Sequence, residues 1–122
     1  MRLVLLFLML SVSAAFAQTP AMPYTYPVSV GTGSAQAIGV NAARRRIEFY
    51  NSSDTAKIAV CPTISRTAIP TITCTVNGPG SITLLPYQGY RVDGVGQTPQ
   101  VNSAWNAIAS AGGSALTIFE WE

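Results

Sequence analysis

The chain has 122 residues, a formal net charge of +2, charged side chains at only 10% of positions and hydrophobic ones at 48%. With no histidine and two cysteines, it lacks the commonest general base and zinc ligand and the four ligands of a tetrahedral zinc site. It is long enough for one domain with one core, and its bulk charge points to no nucleic-acid or acidic partner.

In chain order, Met1-Arg2 precedes an apolar run over residues 3–10 and then Ser, Ala and Phe up to Ala17. This reads as an export signal, residues 1–17, cut after Ala17; the run is shorter than the roughly 20 apolar residues that span a bilayer. No cysteine follows it, which disfavours a lipid anchor, and no membrane contact is expected after cleavage. Residues 18–27 (QTPAMPYTYP) carry three prolines and form an extended arm, because proline lacks an N–H and restrains the residue before it. Residues 28–122 are then a single domain. It opens with a short edge strand over 28–30, a turn over 31–34 and a weak strand signal over 36–41.

The stretch 44–61 (RRRIEFYNSSDTAKIAVC) has two alternating arms. In the first, Ile47 and Phe49 share a face opposite Arg46, Glu48 and Tyr50; in the second, Ile58 and Val60 share one. Residues 51–55 have turn chemistry, so a hairpin is expected with Phe49 opposite Ile58 and Ile47 opposite Val60. Residues 61–70 form an excursion bounded by prolines. An even cysteine pair in an exported chain reads as a disulfide, Cys61 to Cys74. Cys61 is out of phase with Ile58 and Val60, so Pro62 should end that strand and free Cys61 to turn.

A second hairpin is expected from 71–76 and 81–85, with Val76 opposite Ile82 around Gly78-Pro79-Gly80. After a turn at 86–89 comes a brief strand, Tyr90-Arg91-Val92, and a loop over 93–100. Alternation over 101–111, then Gly112-Gly113, then Leu116, Ile118 and Glu120 in phase, points to a third hairpin. Eight to nine short strands with turns at roughly ten-residue spacing predict an all-β antiparallel β-sandwich, jelly-roll-like in its strand number.

Catalytic chemistry is sparse. Lys57, the only lysine, lies on an exposed face where nothing lowers its pKa for nucleophilic catalysis. The carboxylates sit in turns, on a polar face or at the end of the chain, without the paired arrangement of a glycosidase. No enzyme activity and no cofactor are expected. Arg44, Arg45 and Arg46 have two readings: a solvated strand entrance that blocks edge pairing, or a contact for an anionic partner. Tyr87, Tyr90, Trp105 and Trp121, with Arg91 and Asp93 beside Tyr90, are the candidates for a binding surface, since aromatics stack on sugar rings or anchor interfaces, while core packing is the expected use of at least two of them. Asn51-Ser52-Ser53 matches a glycosylation sequon within common turn composition.

Five runs together carry a resemblance: RRRIEFYNSS (44–53), IAV (58–60), GSITLLPY (80–87), WNAIASAG (105–112) and LTIFE (116–120). The pattern resembles the small all-β accessory proteins of tailed phages and phage-like particles. That resemblance implies a non-enzymatic virion module, such as a decoration, spike or tail-fibre component, that self-associates or docks on a larger particle. The export signal and the cysteine pair depart from it. The alternative is an exported binding domain of a bacterial envelope or surface, with a glycan as ligand. The expected location is accordingly the periplasm, cell surface, extracellular space or virion.

Overall fold

The computed structural model describes residues 22–63, 73–94 and 99–122; the export signal, the start of the arm, most of the excursion and residues 95–98 lie outside the described residues. Eight strands and one helical turn follow in order: β1 (Tyr24–Val30), β2 (Ala35–Ile38), β3 (Arg46–Asn51), β4 (Ile58–Pro62), β5 (Ile82–Leu84), β6 (Gly89–Asp93), α1 (Pro99–Asn102), β7 (Trp105–Ala109) and β8 (Ser114–Trp121). They form two four-stranded sheets, β1-β8-β3-β6 and β2-β7-β4-β5, with every pairing antiparallel. The chain is an all-β sandwich.

The pairings have a simple logic. β1 pairs with β8, β2 with β7, β3 with β6 and β4 with β5, so the chain is one long antiparallel ribbon doubled back between β4 and β5. Wrapping that ribbon adds the contacts β3 to β8 and β4 to β7, which make two sheets of it. Apart from β4 and β5, consecutive strands lie in opposite sheets. One end of the sandwich therefore gathers the connections 31–34, 52–57, 85–88 and 110–113, and the other gathers 39–45, Gly94, residues 99–104 and the start of β1.

Period-two burial sets the core. Ile47, Phe49, Leu116 and Ile118 of the first sheet face Ile58, Val60, Leu84, Trp105, Ala107 and Ala109 of the second. Phe49 and Trp105 meet at its centre, ring centroids 4.8 Å apart. The inward faces read from the sequence in β3 and β4 are thus the observed ones.

The three expected hairpins are not. Phe49 lies beside Tyr90 and Ile118, and Ile58 beside Leu84 and Ala109. The segment 52–57 crosses from one sheet to the other, so the apolar sets meet face to face across the core. Likewise β7 and β8 lie in different sheets, and Gly113, at φ +73°, turns the chain between them. In place of the second hairpin, Ile82 pairs with Val60 and Leu84 with Ile58. Residues 73–75 form no strand; the Thr75 and Asn77 N–H groups donate to the hydroxyls of Ser81 (3.0 Å) and Thr83 (2.8 Å). The start of 101–111 is the helical turn α1. The edge strand expected at 28–30 begins at Tyr24, so residues 24–27 of the proline-rich arm join the sheet. Pro27 is tolerated there because an edge strand leaves one side of its backbone unpaired.

Cys61 and Cys74 form a disulfide, Cα atoms 5.8 Å apart. Cys61 does not turn after Pro62 ends the strand; β4 continues through Pro62, and Cys74 comes to it over the outer face of the second sheet. Its sulfur lies 3.4 Å from the Asn106 carbonyl oxygen. Hence Ala59 and Cys61 are as buried as Ile58 and Val60.

Both ends of β3 are fastened by buried polar groups. Just before it, Arg44 makes four buried or part-buried hydrogen bonds: Nε donates to Glu120 Oε2 (2.8 Å), Nη2 to the Gly39 carbonyl (2.9 Å), and Nη1 to the carbonyls of Val101 (2.9 Å) and Ser103 (2.8 Å). Nη2 also lies 2.7 Å from Glu120 Oε2, closing the ion pair. Asn41 Nδ2 donates to Glu120 Oε1 and to Glu122 Oε1. At the far end Asn51 Nδ2 donates to the carbonyls of Ala56 (2.8 Å) and Leu84 (3.1 Å), while its Oδ1 accepts the Ser53 N–H (3.0 Å).

Arg44→Leu is expected to cost about 3–5 kcal/mol, because it strands a buried carboxylate. Adding Glu120→Leu should recover most of that loss, measured by urea denaturation of both variants. Reducing the disulfide should lower stability by about 3 kcal/mol, read as a fall in the denaturation midpoint on adding reductant that Cys61→Ala/Cys74→Ala does not show.

Candidate functional site

The residues expected to form one binding surface are dispersed. Trp105 is 2% exposed and belongs to the core, its Nε1–H donating to the Gln100 carbonyl at 3.0 Å. Tyr90, Arg91 and Asp93 lie along the edge strand β6, with Tyr87 in the turn at one end and Asp93 at the other. Asp93 accepts from Arg46 and forms an ion pair with Arg91, 2.9 Å away, and the Arg46 guanidinium lies over the Trp121 ring, 5.2 Å from its centroid. These exposed pairs contribute little to stability, but one carboxylate faces two guanidiniums and offsets their charge. Arg44 is inside, Arg45 is exposed and Arg46 is half-buried on the outer face. The three arginines therefore form no common surface, and the anion that Arg44 meets is Glu120.

Two signals bear on this. Trp105 is in phase with Ala107 and Ala109, which marks it as core. Glu120 is in phase with Leu116 and Ile118, and a carboxylate on a core-facing row calls for a buried cation.

At the loop end lies an open cleft of about 510 Å³, lined by residues 52–56, Tyr87 and residues 111–115. Asn51, buried and outside its lining, holds the neighbouring turn in place. The Asn51 main chain donates to the Gln88 carbonyl (2.9 Å) and accepts the Tyr87 N–H (3.0 Å), so the turn carrying Tyr87 is locked to the end of β3. That turn is closed by the Gln88 N–H on the Leu85 carbonyl and the Leu85 N–H on Gln88 Oε1, both 3.0 Å. Pro86 and then a left-handed residue form the type II pattern, but the left-handed residue is Tyr87, at φ +61°. The residue is 60% exposed. Ser52, Ser53 and Ser114 hydroxyls are engaged with neighbours, whereas within the described residues the Asp54, Thr55 and Tyr87 side chains make no hydrogen bond. Asn51 itself is fully buried, so in the folded protein the sequon presents no free amide.

A second surface runs along β1, where Tyr24 and Tyr26 of the arm, readable in the sequence as able to dock on the domain or on a neighbour, come to lie. The inward row of β1 is Tyr24, Tyr26, Val28 and Val30, opposite Glu120, Ile118, Leu116 and Ser114. It begins in solvent, with Tyr24 55% and Tyr26 41% exposed, and ends in the core at Val30. The cause is length: β1 has seven residues and β2, the edge of the facing sheet, only four. Met22 and Val40, at the same end, are also exposed. No charged residue occurs from 22 to 43, whereas edges are usually guarded by charge.

Comparison of the chain with protein-family models, with curated proteins and with solved structures finds no match. Among the described residues no group of three or more His, Cys, Asp or Glu side chains is placed to hold a metal ion, and no helix is long and apolar enough to cross a membrane.

Asn51→Ala is expected to cost about 2–3 kcal/mol, since two buried carbonyls lose their donors. Chemical denaturation gives the loss, and NMR shifts confined to 52–57 and 84–88 check that this end is where the packing loosens.

Proposed function

We propose that the protein is a non-enzymatic assembly module that docks on a protein partner through the charge-free side made by β1 and β2. The observation that carries this reading is the core-facing row of β1 continuing past its cover, so that Tyr24 and Tyr26 stand exposed in line with buried Val30. Tyrosine and methionine are enriched, and charges depleted, at the centres of protein interfaces. Pro27 removes one N–H from the β1 backbone, which favours docking on side chains over addition of a strand. The ribbon order, with partners β1/β8 to β4/β5, supports a jelly-roll topology for the sandwich. A disulfide is compatible with an oxidising, exported environment.

The finer reading, a decoration, spike or fibre protein of a phage-like particle, rests on the resemblance carried by residues 44–53, 58–60, 80–87, 105–112 and 116–120. Self-association and attachment to a larger particle both fit the β1 side.

The test is sedimentation of the full chain in extract of its source cells, followed by cross-linking mass spectrometry. The wild-type protein should travel with a larger species and cross-link from residues near 22–40. Tyr24→Ser/Tyr26→Ser, which alters only exposed side chains, should keep its melting temperature and sediment as a 12.9 kDa or smaller monomer. Identical monomeric sedimentation of both proteins defeats the reading.

A further inference from the structure

We propose that the loop-end cleft binds a neutral saccharide, with the Tyr87 ring as the stacking platform and Asp54 and Thr55 as hydroxyl partners. This goes beyond the assembly reading and is independent of it. The β1 row is exposed at the end where Tyr24 pairs with Glu120, and the cleft lies at the opposite end.

Tyr87 holds a backbone conformation that its side chain disfavours, at φ +61°. A left-handed φ is unfavourable for any residue with a Cβ, and this turn position is one that glycine occupies at no steric cost. The same turn places a glycine two residues later, at Gly89, where φ is not positive. A tyrosine kept in the strained position and largely exposed adds nothing to the core that would offset the strain. Strain of this kind is stored where a side chain is presented to a ligand. Four backbone and side-chain hydrogen bonds, among Leu85, Gln88, Tyr87 and Asn51, hold the turn, so the ring is presented with little ordering left to occur on binding.

Gly112 and Gly113 also line the cleft, and a Cβ built on either would meet nothing within 4 Å, so the lining there is open backbone. The cleft falls within the size of small-molecule sites. Its chemistry selects the ligand class: the one charged lining residue is Asp54, a carboxylate that accepts hydroxyl hydrogens and repels anions. The Thr55 hydroxyl serves as donor or acceptor. An aromatic face, one carboxylate and free hydroxyls without a cation suit a polyhydroxylated, uncharged ring.

The experiment is an NMR titration of the isotope-labelled full chain with maltotetraose, cellotetraose and tetra-N-acetylchitotetraose. At least one should shift amides confined to 52–57, 86–88 and 110–115, with a millimolar to high-micromolar dissociation constant. Tyr87→Gly relieves the backbone, so its melting temperature should rise by about 2–6 °C while affinity falls at least ten-fold. Tyr87→Phe should keep most of the binding, and Tyr90→Ala, on the edge strand outside the cleft, should keep all of it. No shift with any of the three sugars at millimolar concentration overturns the proposal. So do shifts that map away from the cleft, or undiminished binding by Tyr87→Gly.

Discussion

The structure depends first on the ion pair between Arg44 and Glu120. Glu120 sits on the same row of β8 as Leu116 and Ile118, which face the core, so its carboxylate leaves bulk water when the sheets close. An unpaired charge there would be prohibitive. Arg44 answers it with a planar fork whose remaining N–H groups are taken by the carbonyls of Gly39, Val101 and Ser103. One side chain thus ties the segment after β2, the segment before β7 and the end of β8 to the start of β3. Lysine, with three donors on a flexible stem, could not span that set. Asn51 performs the corresponding task at the other end of β3, so one of the two interior strands of the first sheet is held at both ends by groups that only one geometry satisfies.

Alternation made the fold class and most inward faces legible. Ile47, Phe49, Ile58 and Val60 point where a period of two puts them, and Leu116, Ile118 and Glu120 share their expected row. Strand partners were not legible, because periodicity states which face a residue occupies and not which strand lies beside it. Phe49 and Ile58 satisfy the same constraint whether side by side in a hairpin or facing each other across a sandwich. The turn-rich segment 51–55 is compatible with both. Long-range pairing of β1 with β8 decides between them, and no local signal reports it.

The site residues divide along the same line. Tyr87 was recognisable as an aromatic in a turn, but its left-handed backbone is a property of the fold. Trp105, in phase with Ala107 and Ala109, is one of the aromatics that pack the core rather than line a surface. Arg44 could not be placed by phase, since it precedes the strand. The charge-free run that forms the β1 side was visible in the sequence, yet only the shortness of β2 turns it into an exposed surface. The disulfide was legible as chemistry but not as architecture: it fastens a covering segment over β4, giving a small domain a second buried layer outside its main core.

The doubled ribbon has a mechanical corollary. Tyr24 and Glu120 are paired neighbours at one pole of the sandwich. The turn bearing Tyr87 occupies the other. The exposed tyrosines of β1 and the aromatic turn therefore stand at opposite poles, so a body seated on either leaves the other open, as the two ends of a rod take separate loads.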